Sequence, residues 1–217
     1  LSDYAVTHLN RGKALAQTGA LDAAMTDLDT ALDYDPYSYP AYIQRGTVLL
    51  SRDEPYRAIL DFSVAAGLEP LIAEPYANRA LALFANKEYG AAIKDLETAL
   101  KFDPTSVAAR RSLAWMLSVV PDTSLRDGPR AIGLIDGGQQ AKTDQVVYAA
   151  AQAESGDIDG AMQTYQTLAG QDPRAAQRFQ NYLTAAGYYQ GPVDGQFSPN
   201  LEAALKQCLQ AGCRIGG

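Results

Sequence analysis

The 217-residue sequence is poor in the side chains that most catalytic and metal sites require. It has one histidine (His8), two cysteines and a single tryptophan. No GxSxG, HExxH, P-loop or Cys–His pairing occurs, so the sequence predicts neither an enzyme nor a bound cofactor or metal. Basic residues are also in deficit, with 18 Lys+Arg against 25 Asp+Glu, net −7. That balance argues against nucleic-acid binding, which relies on clustered cations. No apolar run reaches the roughly 18–20 residues of a membrane helix. The chain opens Leu1-Ser2-Asp3 with no basic, apolar leader, so any export signal is expected to have been removed or to lie outside these residues.

What is present is periodic. Pro36, Pro70 and Pro104 lie at one 34-residue spacing, each after an acidic residue (Asp35, Glu69, Asp103). They close three units opening at Ala5, Tyr39 and Ala73. Small residues recur in register at Gly12, Gly46 and Ala80, at Ala24, Ala58 and Ala92, and at Ala31, Ala65 and Ala99. A bulky series, Leu28, Phe62 and Leu96, accompanies them. Small residues let paired helices approach closely, and the bulky one fills the wedge between them. Charged columns follow the same step: Arg11, Arg45 and Arg79 on the first helix, Asp27, Asp61 and Asp95 on the second. Both columns turn apolar together in a fourth unit (Leu113, Leu134), the behaviour expected of cross-helix partners that set register.

A fourth unit opening at Val107 needs five inserted residues to bring Ala131 into the alanine column. A fifth opens near Lys142 with Ala149, Ala161 and Pro173 in place. The 34-residue pattern resembles the tetratricopeptide repeat (TPR) family. The resemblance implies an all-α fold over residues 1–173: a right-handed TPR superhelix of about five helix pairs, the fourth and fifth degenerate. It also implies a non-catalytic protein-binding function, with a protein or peptide partner held in a concave groove lined by first helices. The groove candidates are an amide column, Asn10, Gln44 and Asn78, ending in Ser112, with Lys13, Gln17, Thr47 and Phe84 beside it. Stacked amides both donate and accept, so they suit an extended peptide backbone. Tyr42 and Tyr76 stand where the family places a packing residue. The family's dicarboxylate-clamp members use inward Lys, Asn and Arg; here those positions hold Leu9, Lys13, Gln44, Glu74 and Asn78, and Glu74 would repel a terminal carboxylate.

After Pro173 the balance changes from 14 Lys+Arg and 23 Asp+Glu to 4 and 2. Gly187 reads as a helix C-cap, Asp194-Gly195 as a tight turn, and Ser198-Pro199 as a helix start. The run Gly187-Tyr188-Tyr189-Gln190-Gly191-Pro192-Val193-Asp194-Gly195-Gln196-Phe197-Ser198-Pro199 is similar to the peptidoglycan-binding family 1 domain, with Ser198 replacing a glycine. The resemblance implies a small helical domain over 174–217 in which Tyr188, Tyr189 and Phe197 stack on a sugar–peptide ligand and Asp194 accepts hydrogen bonds. A turn-forming role for Asp194 stays open beside that one. If Gly212 ends the last helix, Cys208 and Cys213 occupy touching positions of a Schellman motif, within disulfide distance. A pair of buried thiols is the alternative, and a metal pair finds no further ligands nearby. A disulfide would fit an exported, periplasmic setting. The expected function is a periplasmic adaptor whose tail contacts peptidoglycan. The alternative is the accessory region of a larger exported cell-wall hydrolase or protease, with the tail only capping the solenoid.

Overall fold

A computed structural model describes residues 3–135 and 142–215. Twelve α-helices and one 3-10 turn (Thr123–Leu125) make up the regular structure among the described residues, with no strand. The fold is the expected all-α, TPR-type one. The chain packs as two compact units, 1–109 and 110–217. The family boundary expected at 173/174 falls inside the second.

The first unit contains three helical hairpins: α1 (Asp3–Gln17) with α2 (Leu21–Tyr34), α3 (Tyr39–Ser51) with α4 (Pro55–Leu68), and α5 (Ala73–Ala85) with α6 (Tyr89–Phe102). Each second helix ends one residue before the acidic-proline pair, because proline has no N–H to continue the ladder and its ring bars a helical residue before it. Asp35, Glu69 and Asp103 close those helices by donating backbone N–H groups to Ala31, Ala65 and Ala99. The small columns do what their size permits. Ala24, Ala58, Ala65, Ala80, Ala92 and Ala99 are fully excluded from solvent, as are Leu28 and Phe62. At Gly46 the ring of Phe62 comes so near that a Cβ would sit 2.6 Å from its Cε1 atom. Apolar burial of this kind contributes about 25 cal/mol per Å², so the hairpins hold together mainly through this interior.

The second unit begins within α7 (Val107–Val119) and continues through α8 (Gly128–Ile135), α9 (Lys142–Glu154), α10 (Ile158–Gln171), α11 (Pro173–Ala185) and α12 (Pro199–Gln210). The degenerate fourth pair shows its insertion as the loop carrying the 3-10 turn, where Asp122 accepts from the backbone N–H of Ser124 at 3.0 Å. Beyond it, α8 lies against α9: a Cβ at Gly128 would meet Ser155 Oγ at 2.5 Å and the Ala151 carbonyl at 2.7 Å. One core runs from the α9–α10 hairpin into the tail, joining Ala149, Tyr165, Leu168, Phe179, Leu183, Leu201, Leu205 and Leu209. Tyr165 and Phe179 meet edge to face at 5.1 Å, and the buried Tyr165 hydroxyl donates to the Ile215 carbonyl at 3.1 Å. That burial raises the Tyr165 hydroxyl well above its ordinary pKa.

Candidate functional site

Two regions carry the candidate residues: the first-helix surface of the first unit and the turn between α11 and α12.

On the first unit, ion pairs set the frame. Arg45 donates from Nε and Nη2 to the two carboxylate oxygens of Asp61, both at 2.8 Å, and from Nη1 to Asp29 of the preceding hairpin, also at 2.8 Å. Arg79 grips Asp95 in the same fork at 2.6 and 2.8 Å and donates to Ser63 Oγ at 3.2 Å. The Tyr42 and Tyr76 rings lie under these guanidinium groups at 5.5 Å, and their hydroxyls donate to the carbonyls of Pro36 and Pro70. These tyrosines therefore serve the clamp, as packing residues. His8 stands at the equivalent position of the first hairpin: its Nδ1 lies 3.0 Å from Asp27 Oδ1, and its ring stacks on Tyr34 at 6.2 Å. The Asp27 carboxyl is held down at about 2, chiefly by the hydrogen bonds from Arg11 and also by His8. The carboxylates likewise push Arg45 and Arg79 above the ordinary arginine value. All three arginines are thus engaged between helices, as register clamps.

The amides are not engaged in this way. Asn10, Gln44 and Asn78 occupy equivalent positions on α1, α3 and α5, and none of their side chains makes a hydrogen bond among the described residues. Asn10 is exposed, as are Lys13 and Gln17 on the same helix; Gln44 and Asn78 are half-buried. Thr47 is exposed and its hydroxyl donates to the Ile43 carbonyl at 2.8 Å. Phe84 is half-buried, edge-on to Tyr89 at 5.2 Å. Ser112 lies on α7 in the second unit, half-buried. On the helix that carries Asn10, a mostly apolar cleft of about 260 Å³ opens between Ala5, Val6 and Leu9 of α1 and Tyr37, Tyr39 and Pro40 beyond α2. Tyr37 is 80% exposed at its lip. Sequence reasoning missed this cleft, because Tyr37 reads as a turn residue after Pro36.

In the tail, Gln180 organises the turn. It is fully buried; its Oε1 accepts from the Gly195 N–H at 2.9 Å, and its Nε2 donates to Asp194 Oδ1 at 2.8 Å and to the Gln196 carbonyl at 3.1 Å. Asp194 Oδ1 also accepts from the Gln196 N–H at 2.9 Å. These bonds, with the Gln196 N–H foremost, lower the Asp194 carboxyl below its ordinary value. Asp194 is therefore a turn-forming residue, with the left-handed Gly195 (φ +77) behind it. Tyr189 is only 4% exposed and its hydroxyl donates to the Pro192 carbonyl at 3.1 Å, which spends its ring in the core instead of on a stacking surface. Gly191 is required beside it, since a Cβ there would lie 2.3 Å from the Tyr189 hydroxyl. Tyr188 and Phe197 pack partly buried against the same core.

Both tail helices end as the sequence indicates. Gly187 and Gly212 are left-handed; Tyr188 N–H donates to Leu183 O at 2.8 Å and Cys213 N–H to Cys208 O at 3.0 Å. Cys208 and Cys213 are joined in a disulfide with their Cα atoms 5.2 Å apart. Arg214, just beyond, donates to Glu154 and to the Ala153 carbonyl, and Arg126 donates to Glu154 and to the Gly212 carbonyl. No helix among the described residues is long and apolar enough to cross a membrane.

Comparison with known proteins follows this division. Residues 5–38 and 73–106 each match the tetratricopeptide repeat family, and residues 174–208 match the family described as "Putative peptidoglycan binding domain". Among curated proteins, no relative matches the chain. Solved structures share the fold. A tetratricopeptide repeat protein from Parabacteroides merdae is 14% identical, with a TM-score of 0.70 over 96% of this chain and 80% of that one. YrrB, a TPR protein with an unusual peptide-binding site, is 16% identical, with a TM-score of 0.56 over 76% of this chain and 84% of its own. The first TPR of Spaghetti (RPAP3), bound to an HSP90 peptide, is 24% identical, with a TM-score of 0.52 over 54% of this chain and 92% of that one.

Proposed function

We propose that this chain, a tetratricopeptide-repeat protein with a C-terminal peptidoglycan-binding-like domain, is an exported, non-catalytic adaptor. Its first-helix groove takes an extended segment of a protein partner, and its tail contacts peptidoglycan. The observation that carries the groove reading is the column of Asn10, Gln44 and Asn78. The side chains of these amides have no hydrogen-bond partner among the described residues and recur at repeat spacing, and α1, which carries the first of them, also lines the apolar cleft. A peptide backbone would satisfy the amides and one apolar side chain would fill the cleft, the division of labour common in extended-peptide recognition. The HSP90 peptide bound to one TPR neighbour and the peptide-binding site of another support a groove of this kind. Export is supported by the Cys208–Cys213 disulfide, since such bonds persist in oxidising compartments. Wall contact is supported by the family match over 174–208.

The groove reading is tested by replacing Asn10, Gln44 and Asn78 together with alanine and isolating partners from an envelope extract by crosslinking. Loss of the crosslinked species with unchanged helical circular dichroism is the expected result; an undiminished yield overturns the role of the amides. For the tail, the full chain is sedimented with purified peptidoglycan. Pelleting above the level of the same chain spun without peptidoglycan supports wall contact, and no pelleting above that background refutes it.

A further inference from the structure

The outer face of the first unit is carried by α2, α4 and α6, opposite in role to the groove helices. There the repeat register yields a gradient instead of a repetition. Equivalent positions read Asp22, Tyr56 and Gly90; Thr26, Leu60 and Lys94; Thr30, Val64 and Thr98; Asp33, Gly67 and Lys101. On α4, Tyr56, Leu60 and Val64 are 64%, 51% and 42% exposed. Their spacing of four puts them on one stripe. Gly67 extends that stripe with open space where a Cβ would stand. On either side the stripe is flanked by charge of opposite sign. Asp22 and Asp33 are exposed on α2, and Lys94 and Lys101 are exposed on α6. Asp33, Lys94 and Lys101 form no ion pair among the described residues. Asp22 meets Arg52 at 2.6 Å yet keeps its side chain 94% exposed. Glu97 lies off this line, in the column where Asp29 and Ser63 accept from the arginines of the following hairpin.

An acidic ridge, an apolar stripe and a basic ridge in that order form a self-complementary surface. A two-fold axis parallel to α4 lays the stripe on its own copy with the two α4 helices running the same way. The same rotation carries the α2 ridge of one chain over the α6 ridge of the other, so both charged edges are satisfied at once. An axis across the helices would instead set Asp22 and Asp33 against their own copies, which like-charge repulsion disfavours. We propose that the partner of this face is a second copy of the chain, in an isologous dimer centred on Leu60 that leaves the groove of α1, α3 and α5 open. The proposal does not depend on what the groove binds.

Sedimentation equilibrium of the full chain from about 10 μM to about 1 mM tests this. Wild type is expected to pass from monomer to dimer within that range, and a monomer throughout overturns the proposal. Leu60→Glu, an exposed change that leaves the core intact, is expected to weaken association at least about tenfold with unchanged circular dichroism. A dimer indifferent to it places the contact elsewhere and overturns the assignment. The ridges are tested separately. Lys94→Glu/Lys101→Glu and Asp22→Lys/Asp33→Lys should each be monomeric alone, and an equimolar mixture should restore the dimer as a heterodimer. Two homodimers, or a mixture that stays monomeric, refutes the pairing of ridges.

Discussion

Gly46 offers the sharpest test of how the hairpins are packed. A methyl group there would lie 2.6, 2.8 and 3.0 Å from three atoms of the Phe62 ring, and that ring is fully buried. The ring is packed inside the hairpin core, with no solvent-facing side to swing toward. Overpacking of this kind costs about 1–3 kcal/mol, while glycine to alanine within a helix returns roughly 1 kcal/mol through backbone entropy. Gly46→Ala should therefore destabilise the chain by about 1 kcal/mol. The third hairpin shows the compensation, since Ala80 and Leu96 occupy the same two positions and both are buried. Phe62→Leu alone should lose about 1 kcal/mol or somewhat more to unfilled volume. Gly46→Ala/Phe62→Leu together should return close to wild type, a coupling of about 1–2 kcal/mol between touching residues. Urea unfolding followed by circular dichroism, with equal slopes for all four proteins, provides the cycle. Gly12→Ala is the milder control, because its methyl would lie 2.9 Å from Cγ and 3.2 Å from Cδ2 of an aliphatic Leu28, against 2.6 Å from the Phe62 ring at Gly46. Effects that add to within about 0.5 kcal/mol, or a Gly46→Ala protein more stable than wild type, would refute the wedge.

Three further outcomes follow from other contacts. Lys87 holds a left-handed backbone (φ 65) where the first hairpin has Gly19, so Lys87→Gly should stabilise by about 0.5–1 kcal/mol, read as a higher melting temperature. The Asp27 carboxyl titrates near 2 in the folded chain, below its ordinary value, so the unfolded chain binds the extra proton first. Its contribution is complete above about pH 4 and is lost as pH falls toward 2. The gap in melting temperature between wild type and Asp27→Asn should shrink over that window, and a constant gap would dissociate Asp27 from the acid limb. Gln180→Met should cost at least about 2 kcal/mol by stranding the Gly195 N–H and the Gln196 carbonyl, and should expose the 187–197 turn to proteolysis; an unchanged cleavage rate would remove Gln180 from that role.

The repeat was legible because its constraints are steric and local. A proline that ends a helix and a glycine that admits a phenylalanine leave few substitutes, so the columns survive in the sequence itself. The Arg–Asp columns were legible for a related reason: both partners disappear together in the fourth unit. Their second contact was not, since the acceptor column reads Asp29, Ser63 and Glu97, and the two acceptors seen, a carboxylate and a hydroxyl, serve the same guanidinium without sharing a residue type. Gln180 was invisible for a different reason. A glutamine within a helix reads as surface, and nothing in α11 signals that this one is buried under a turn fourteen to sixteen residues away. That Tyr189 turns its ring into the core was not legible either, because the residues that close this turn are the same ones that would recognise a sugar.

The clamps also limit what the proposed groove can select. A carboxylate-terminated peptide is best gripped by guanidinium forks, and Arg11, Arg45 and Arg79 already give their forks to Asp27, Asp61 and Asp95. Withdrawing one of them would unpair a largely buried carboxylate, which costs several kcal/mol when a buried pair is broken. What remains on the groove side is neutral or weakly charged: the amides, the Thr47 hydroxyl, the exposed Lys13 and the cleft beside Val6 and Leu9. Glu74, exposed at the start of α5, adds a negative charge to that surface. Such a surface favours the interior of an extended chain carrying an apolar side chain over a free C-terminus. A peptide ending in its natural carboxylate and the same peptide amidated should therefore bind alike, or the amidated form more tightly; a clear preference for the free acid would contradict the commitment of the arginines.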